Sequence, residues 1–123
     1  MLGLKPILQK TLTANGFTEP TPIQNQAIPL ALEGHDILGL AQTGTGKTLA
    51  FGLPLMQALL EQHGKPAPKT AKALILAPTR ELVNQIADSL RMFTTQTPLK
   101  IATVVGGQSI NRQIGVLARG TDI

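Results

Sequence analysis

Apolar positions in the first third of the chain recur at helical spacing, and prolines and glycines close off each run. Residues 6–15 begin at Pro6, place Ile7, Leu8 and Leu12 along one side and stop at Gly16, which predicts a helix with proline in its first turn and glycine past its end. Thr18-Glu19-Pro20-Thr21-Pro22 reads as an extended turn, because a residue before proline is steered away from helix. A second helix is expected from Pro22, capped by Thr21, to Glu33, with Gly34 as its stop. Pro29 should kink or restart it.

From Ile37 the pattern changes. Residues 37–40 form a short apolar run that predicts a strand, and residues 47–62 a helix whose second turn Pro54 should disturb. Ala73-Leu74-Ile75-Leu76-Ala77 is a continuous apolar run of the type found in strands buried on both faces. Thr79 then caps a helix to Met92, with Leu82, Val83, Ile86 and Leu90 at helical spacing. Residues 101–105 predict a third buried strand, Gly106-Gly107 a turn, residues 109–118 a helix, and residues 120–123 the approach to a fourth strand. This alternation predicts an α/β domain with a mostly parallel sheet flanked by helices. Ligands are expected at the carboxyl ends of the strands, where residues 41–48, 78–80 and 106–107 all fall.

The first of these stretches carries the sharpest chemistry. Ala41-Gln42-Thr43-Gly44-Thr45-Gly46-Lys47-Thr48 follows a predicted strand and opens a predicted helix. In that setting, backbone N–H groups and the positive end of the helix dipole converge on one anion. Gly44 and Gly46 let the backbone approach a phosphate, Lys47 reaches the β- and γ-phosphates of a nucleotide, and the Thr48 hydroxyl holds Mg²⁺. Ala41 stands where the pattern usually begins with glycine. Gln24 is the second anchor: its amide offers one donor and one acceptor, the complement of adenine N6 and N7.

Composition narrows the remaining choices. With 123 residues the chain suits one domain. Its 11 basic and 7 acidic residues leave a net charge of +4, which suits a polyanionic partner as well as an ordinary solubilising surface. There is no cysteine, hence no disulfide framework or thiol chemistry. No apolar run approaches the ~18 residues of a membrane span, and residues 1–6 lack the apolar region of a signal peptide; a cytoplasmic location is expected. Only Phe17, Phe51 and Phe93 are aromatic, so a surface that grips single strands by stacking bases on several rings is not expected. His35 and His63 have no partners at metal-ligand spacing, and Lys65, Lys69 and Lys72 read as a solvated connection.

Taken together, these motifs closely resemble those of the DEAD-box RNA helicases. Residues 16–24 resemble the Q motif of that family, residues 41–48 its motif I, and Pro78-Thr79-Arg80-Glu81-Leu82 its motif Ia. Gly106-Gly107 is similar to its double-glycine element, and residues 120–123 to the approach to its next motif. Val83 stands where alanine is commoner, a conservative departure. The resemblance implies a RecA-like (P-loop) fold, here the N-terminal part of the first RecA-like domain, with residues 1–36 as a Q-motif helical region and 37–123 as a strand–helix core. It implies ATP/ADP and Mg²⁺ as cofactors, with Gln24 on adenine and Phe17, Thr18 and Thr21 framing the base. Gln42, Thr43, Gly44, Thr45, Gly46, Lys47 and Thr48 would hold the phosphates and the metal. Pro78, Thr79, Arg80, Gly106 and Gly107 would touch the sugar–phosphate chain of RNA, whose sequence is not read.

The same resemblance implies parts that these residues do not supply. The family's Asp-Glu-Ala-Asp run follows on a later strand, its arginine fingers come from a second RecA-like domain, and an aromatic that stacks on adenine falls just before Met1. Asp36 and Asp122 are expected at the wrong end of the sheet to replace that run, and Asp88 deep within its helix. The expectation is therefore an ATP-dependent RNA helicase in the intact protein, and no hydrolysis by this chain alone. A truncated sheet leaves an edge open, so self-association is expected. Two other readings stand beside this one: a different phosphate-loop translocase on nucleic acid, and a non-enzymatic module that binds nucleotide or RNA or serves in assembly.

Overall fold

The first helix, α1 (Pro6–Ala14), starts with proline at its first turn and ends at Asn15, just before Gly16. The structure, a computed structural model, describes residues 2–42, 44, 46–62 and 64–123. The other expected helices form as well: α2 (Pro22–Leu32), α3 (Lys47–Glu61), α4 (Arg80–Thr94) and α5 (Ile110–Ala118) follow.

 Side-chain caps open three of them. Thr21 accepts from the backbone N–H of Gln24, Thr79 from that of Leu82, and Ser109 from that of Arg112, each satisfying one of the donors that a helix start leaves without a partner.

Neither internal proline ends its helix. Helix α2 runs through Pro29, and α3 runs through Pro54 as one helix of 15 residues. Proline removes one helical hydrogen bond, but around Pro54 the side chains of Leu49, Leu53, Met56 and Leu59 are all buried. Each such burial contributes roughly 1.5–3 kcal/mol, enough together to hold the helix across the missing bond.

The chain divides into two compact units, Met1–Glu61 and Gln62–Ile123. In the first, α2 packs on α3, and the core holds Leu4, Leu8, Leu12, Ile28, Leu53 and Met56. Gln57 of α3 ties the N-terminal segment into this unit. Its Oε1 accepts from the Lys5 backbone N–H at 2.7 Å, and its Nε2 donates to the Gly3 carbonyl at 3.0 Å. A buried amide with both ends engaged satisfies two main-chain groups that would otherwise be costly to bury.

In the second unit, Ala87, Leu90 and Phe93 of α4 are buried, as is Ile123. The predicted sheet is not seen here: no strand ladder forms among the described residues. Residues 37–40, 73–77 and 101–105 are not assigned as strands. The pairing that does exist centres on residues 121–123. Ala71 and Thr121 form an isolated parallel bridge, the Ala73 N–H donates to the Asp122 carbonyl, and the Ala102 N–H donates to the Ile123 carbonyl. Residues 121–123 thus bond to both neighbouring segments. Residues 74–77 and 103–104 run on without main-chain hydrogen bonds to other described residues. A cavity of about 530 Å³ opens there, lined by Ala73, Ile75, Val83, Ile86, Leu90 and Ile101 among others. Leu74, Leu76 and Val104 are exposed, as are Leu38 and Leu40, so burial on both faces is not seen either. With no ladder beside them, these segments have nothing to cover their second face.

Candidate functional site

The first unit brings the two ends of the expected nucleotide site together. Thr21 and Gln24 form a reciprocal cap at the start of α2: the Gln24 N–H donates to Thr21 Oγ1 at 3.4 Å, and the Thr21 N–H donates to Gln24 Oε1 at 3.0 Å. This holds the Gln24 side chain, which is only 8% exposed, in one orientation. Its Nε2 then donates to the Gly46 carbonyl at 3.1 Å. The amide therefore spans from the α2 cap to the loop that opens α3. Each end of a primary amide has capacity for a second hydrogen bond, so one acceptor site and one N–H remain for a base edge.

Gly46 sits against this amide with φ of +84°, and a Cβ there would collide with Gln24 Nε2 and crowd Thr21. Gly44 has φ of +82°, and among the described residues nothing stands within 4 Å of a Cβ placed there. Both glycines thus take a left-handed backbone just before α3, a conformation that glycine adopts without strain. Lys47, the first residue of α3, is exposed, and Thr48 is half-buried in the first turn. The start of a 15-residue helix with an exposed lysine and a hydroxyl suits a phosphate and its metal. Thr43 and Thr45, also expected to hold phosphate, lie outside the described residues, as does His63. Gln42 is exposed. Phe17 and Thr18 lie exposed between α1 and α2, and the Phe17 N–H donates to the Leu12 carbonyl at 2.9 Å.

The second unit assembles a basic element. Thr79 caps α4, and Arg80 begins that helix. Rather than pairing with Glu81, the Arg80 guanidinium donates from Nη1 to the Gly106 carbonyl at 3.1 Å. Gly107 has φ of +81°, and a Cβ on it would stand 2.5 Å from Nη1. Pro78, Thr79, Arg80, Gly106 and Gly107 are all exposed. An exposed guanidinium beside a helix start is suited to phosphate contact. Two carboxylates of this unit, Asp88 and Asp122, are engaged elsewhere. Asp122 is buried, accepts from the Lys100 N–H at 2.8 Å and pairs with Lys72 at 3.7 Å. Asp88 pairs with Arg91 along α4 at 3.6 Å. Among the described residues, no cluster of three or more acidic or histidine side chains is placed to hold a metal ion.

Two side chains matter more than sequence reasoning assigned. The capping role of Gln24 was readable in the Thr21-to-Gln24 spacing, but its bond to Gly46 was not. Gln113 of α5 bonds the loop around Gly106 and Gly107, and no spacing rule points to it.

Residues 21–123 match the model of the DEAD/DEAH box helicase family. The chain is 42% identical over 122 residues to the ATP-dependent RNA helicase DBP10 of Yarrowia lipolytica, covering 99% of this chain and 13% of that protein. Among solved structures, the RNA helicase Prp28 of Chaetomium thermophilum bound to ADP superposes with a TM-score of 0.83 at 42% identity, over 96% of this chain and 29% of that one. A DEAD box protein of Methanococcus jannaschii gives 0.83 at 36% identity, over 98% of this chain and 32% of that one. The fold of these relatives is the RecA-like one expected from the motifs.

Proposed function

Because the chain belongs to the DEAD/DEAH box helicase family, we propose that it is the adenine-nucleotide-binding part of an ATP-dependent RNA helicase. The chain spans 13% of the length of the Yarrowia relative, so the activity of the whole protein is part of this proposal. The observation that carries it is the Gln24 amide, held by Thr21 and bonded to the Gly46 carbonyl. That bond sets a group capable of reading adenine beside a loop suited to phosphate. Gln24 selects the base, Gly44 and Gly46 bring main chain up to the phosphates, and Lys47 neutralises their charge. Thr48 would hold Mg²⁺, and the ion would supply positive charge to offset that of the phosphates. Arg80, with Pro78, Thr79, Gly106 and Gly107, contacts the RNA backbone. A second RecA-like domain completes the site in the intact protein.

Phosphoryl transfer also needs a carboxylate on the metal and a group that orients water. Asp122 is occupied by Lys100 and Lys72, and Asp88 by Arg91. This chain alone is therefore expected to release no phosphate from ATP in Mg²⁺, with or without RNA. Turnover that disappears in Lys47→Ala would contradict that expectation.

The same reading includes self-association. Unpaired segments 74–77 and 103–104, with Leu74, Leu76 and Val104 exposed, offer main chain and apolar surface to another copy. Sedimentation velocity at rising concentration should show species larger than the monomer. A single monomeric boundary throughout would remove this part of the proposal.

A further inference from the structure

The loop that carries Gly106 and Gly107 is held from one side chain. Gln113, one turn into α5, accepts from the Val105 N–H through Oε1 at 2.8 Å. Its Nε2 faces the Ser109 carbonyl at 3.3 Å and the Gln108 carbonyl at 3.5 Å. The amide thus grips the residue before the two glycines and the two residues after them. Between those grips lies the Gly106 carbonyl, which accepts from Arg80 Nη1 at 3.1 Å. A Cβ on Gly107 would meet the same nitrogen, so the guanidinium fits beside the loop only because residue 107 is glycine.

We infer that Gln113 is a positioning residue for RNA, acting through the loop at Gly106 and Gly107 to set the Arg80 guanidinium toward the phosphate chain. This rests on the reading that Arg80 contacts RNA. A guanidinium is recognised by phosphate through directed N–H groups. Fixing one of its nitrogens on a carbonyl therefore fixes the direction of the others. A loop that drifted would leave Arg80 its charge but not its aim.

The test uses the whole chain and a fluorescein-labelled single-stranded oligouridylate, titrated at several salt concentrations. Four proteins are compared: the parent chain, Arg80→Ala, Gln113→Met and the double variant. Arg80→Ala should weaken binding about tenfold and reduce the salt slope by about 0.7, the loss of one phosphate contact on a single strand. Gln113→Met should lower affinity and slope in the same direction, and the double variant should be no weaker than Arg80→Ala. A Gln113→Met variant that binds like the parent, or that adds its full loss on top of Arg80→Ala, overturns the inference and leaves the RNA reading standing. If Arg80→Ala binds like the parent, or the parent does not bind, the RNA reading itself fails and takes this inference with it. A measurement without substitutions stands beside these in case Gln113→Met does not fold. Amide hydrogen exchange on the parent should be slower at Val105 than at Gly107, and equal rates would overturn the grip of Gln113 on the loop.

Discussion

Replacing Lys47 with alanine should weaken ADP binding by about tenfold to a hundredfold while leaving the chain folded. A hydrogen bond to a charged group contributes about 1.5–3 kcal/mol, and each 1.4 kcal/mol is about a factor of ten in affinity. Lys47 is exposed and is the first residue of α3, so its side chain supports nothing in the core. Alanine is also a good helix former. Calorimetric titration with ADP and Mg²⁺, beside a circular dichroism melt, separates the two effects. Unchanged affinity would place the phosphates away from the start of α3.

Replacing Gly46 with alanine should be the more damaging change, because it acts on fold and site together. The residue has φ of +84°, and a left-handed conformation costs a residue with a Cβ roughly 1–2 kcal/mol. The new methyl would also collide with Gln24 Nε2 and press on Thr21. Either the loop turns away or the amide leaves the Gly46 carbonyl. Both outcomes separate the adenine-reading group from the phosphate loop. Gly44→Ala is the internal control, since φ there is +82° but nothing among the described residues lies within 4 Å of the added atom. Gly46→Ala should therefore lower the melting temperature and the ADP affinity further than Gly44→Ala. Equal losses would mean that backbone strain alone matters and that contact with Gln24 does not.

Local rules reached the helices because their determinants are local. Proline in the first turn of α1, and Thr21, Thr79 and Ser109 as caps, are legible within a few residues. Helix α3 continues through Pro54 for a reason that is not local. The cost of the proline is local, but the burial that holds α3 together comes from residues brought close by folding. The apolar runs at 37–40, 73–77 and 101–105 read as strands, yet a strand exists only where another segment pairs with it. Residues 121–123 supply that pairing as far as Ala73 and Ala102. The site divides along the same line. Gly44, Gly46, Lys47 and Thr48 were visible as a contiguous motif, and Gln24 as a residue with suitable chemistry. The bond from Gln24 to Gly46 crosses 22 positions, and the one from Arg80 to Gly106 crosses 26. Spacing rules do not reach that far. Gln113 was invisible for a related reason, since its task is to hold main chain and main chain leaves no mark in the sequence.

The most direct test of the central claim is a titration of the chain with ADP and with GDP in Mg²⁺, repeated on Gln24→Ala. The account predicts that ADP binds, that GDP binds at least about tenfold more weakly, as a mismatched base edge worth 1–3 kcal/mol requires, and that Gln24→Ala loses the distinction. Equal binding of the two nucleotides by the parent chain, or a preference for ADP that survives in Gln24→Ala, would contradict it.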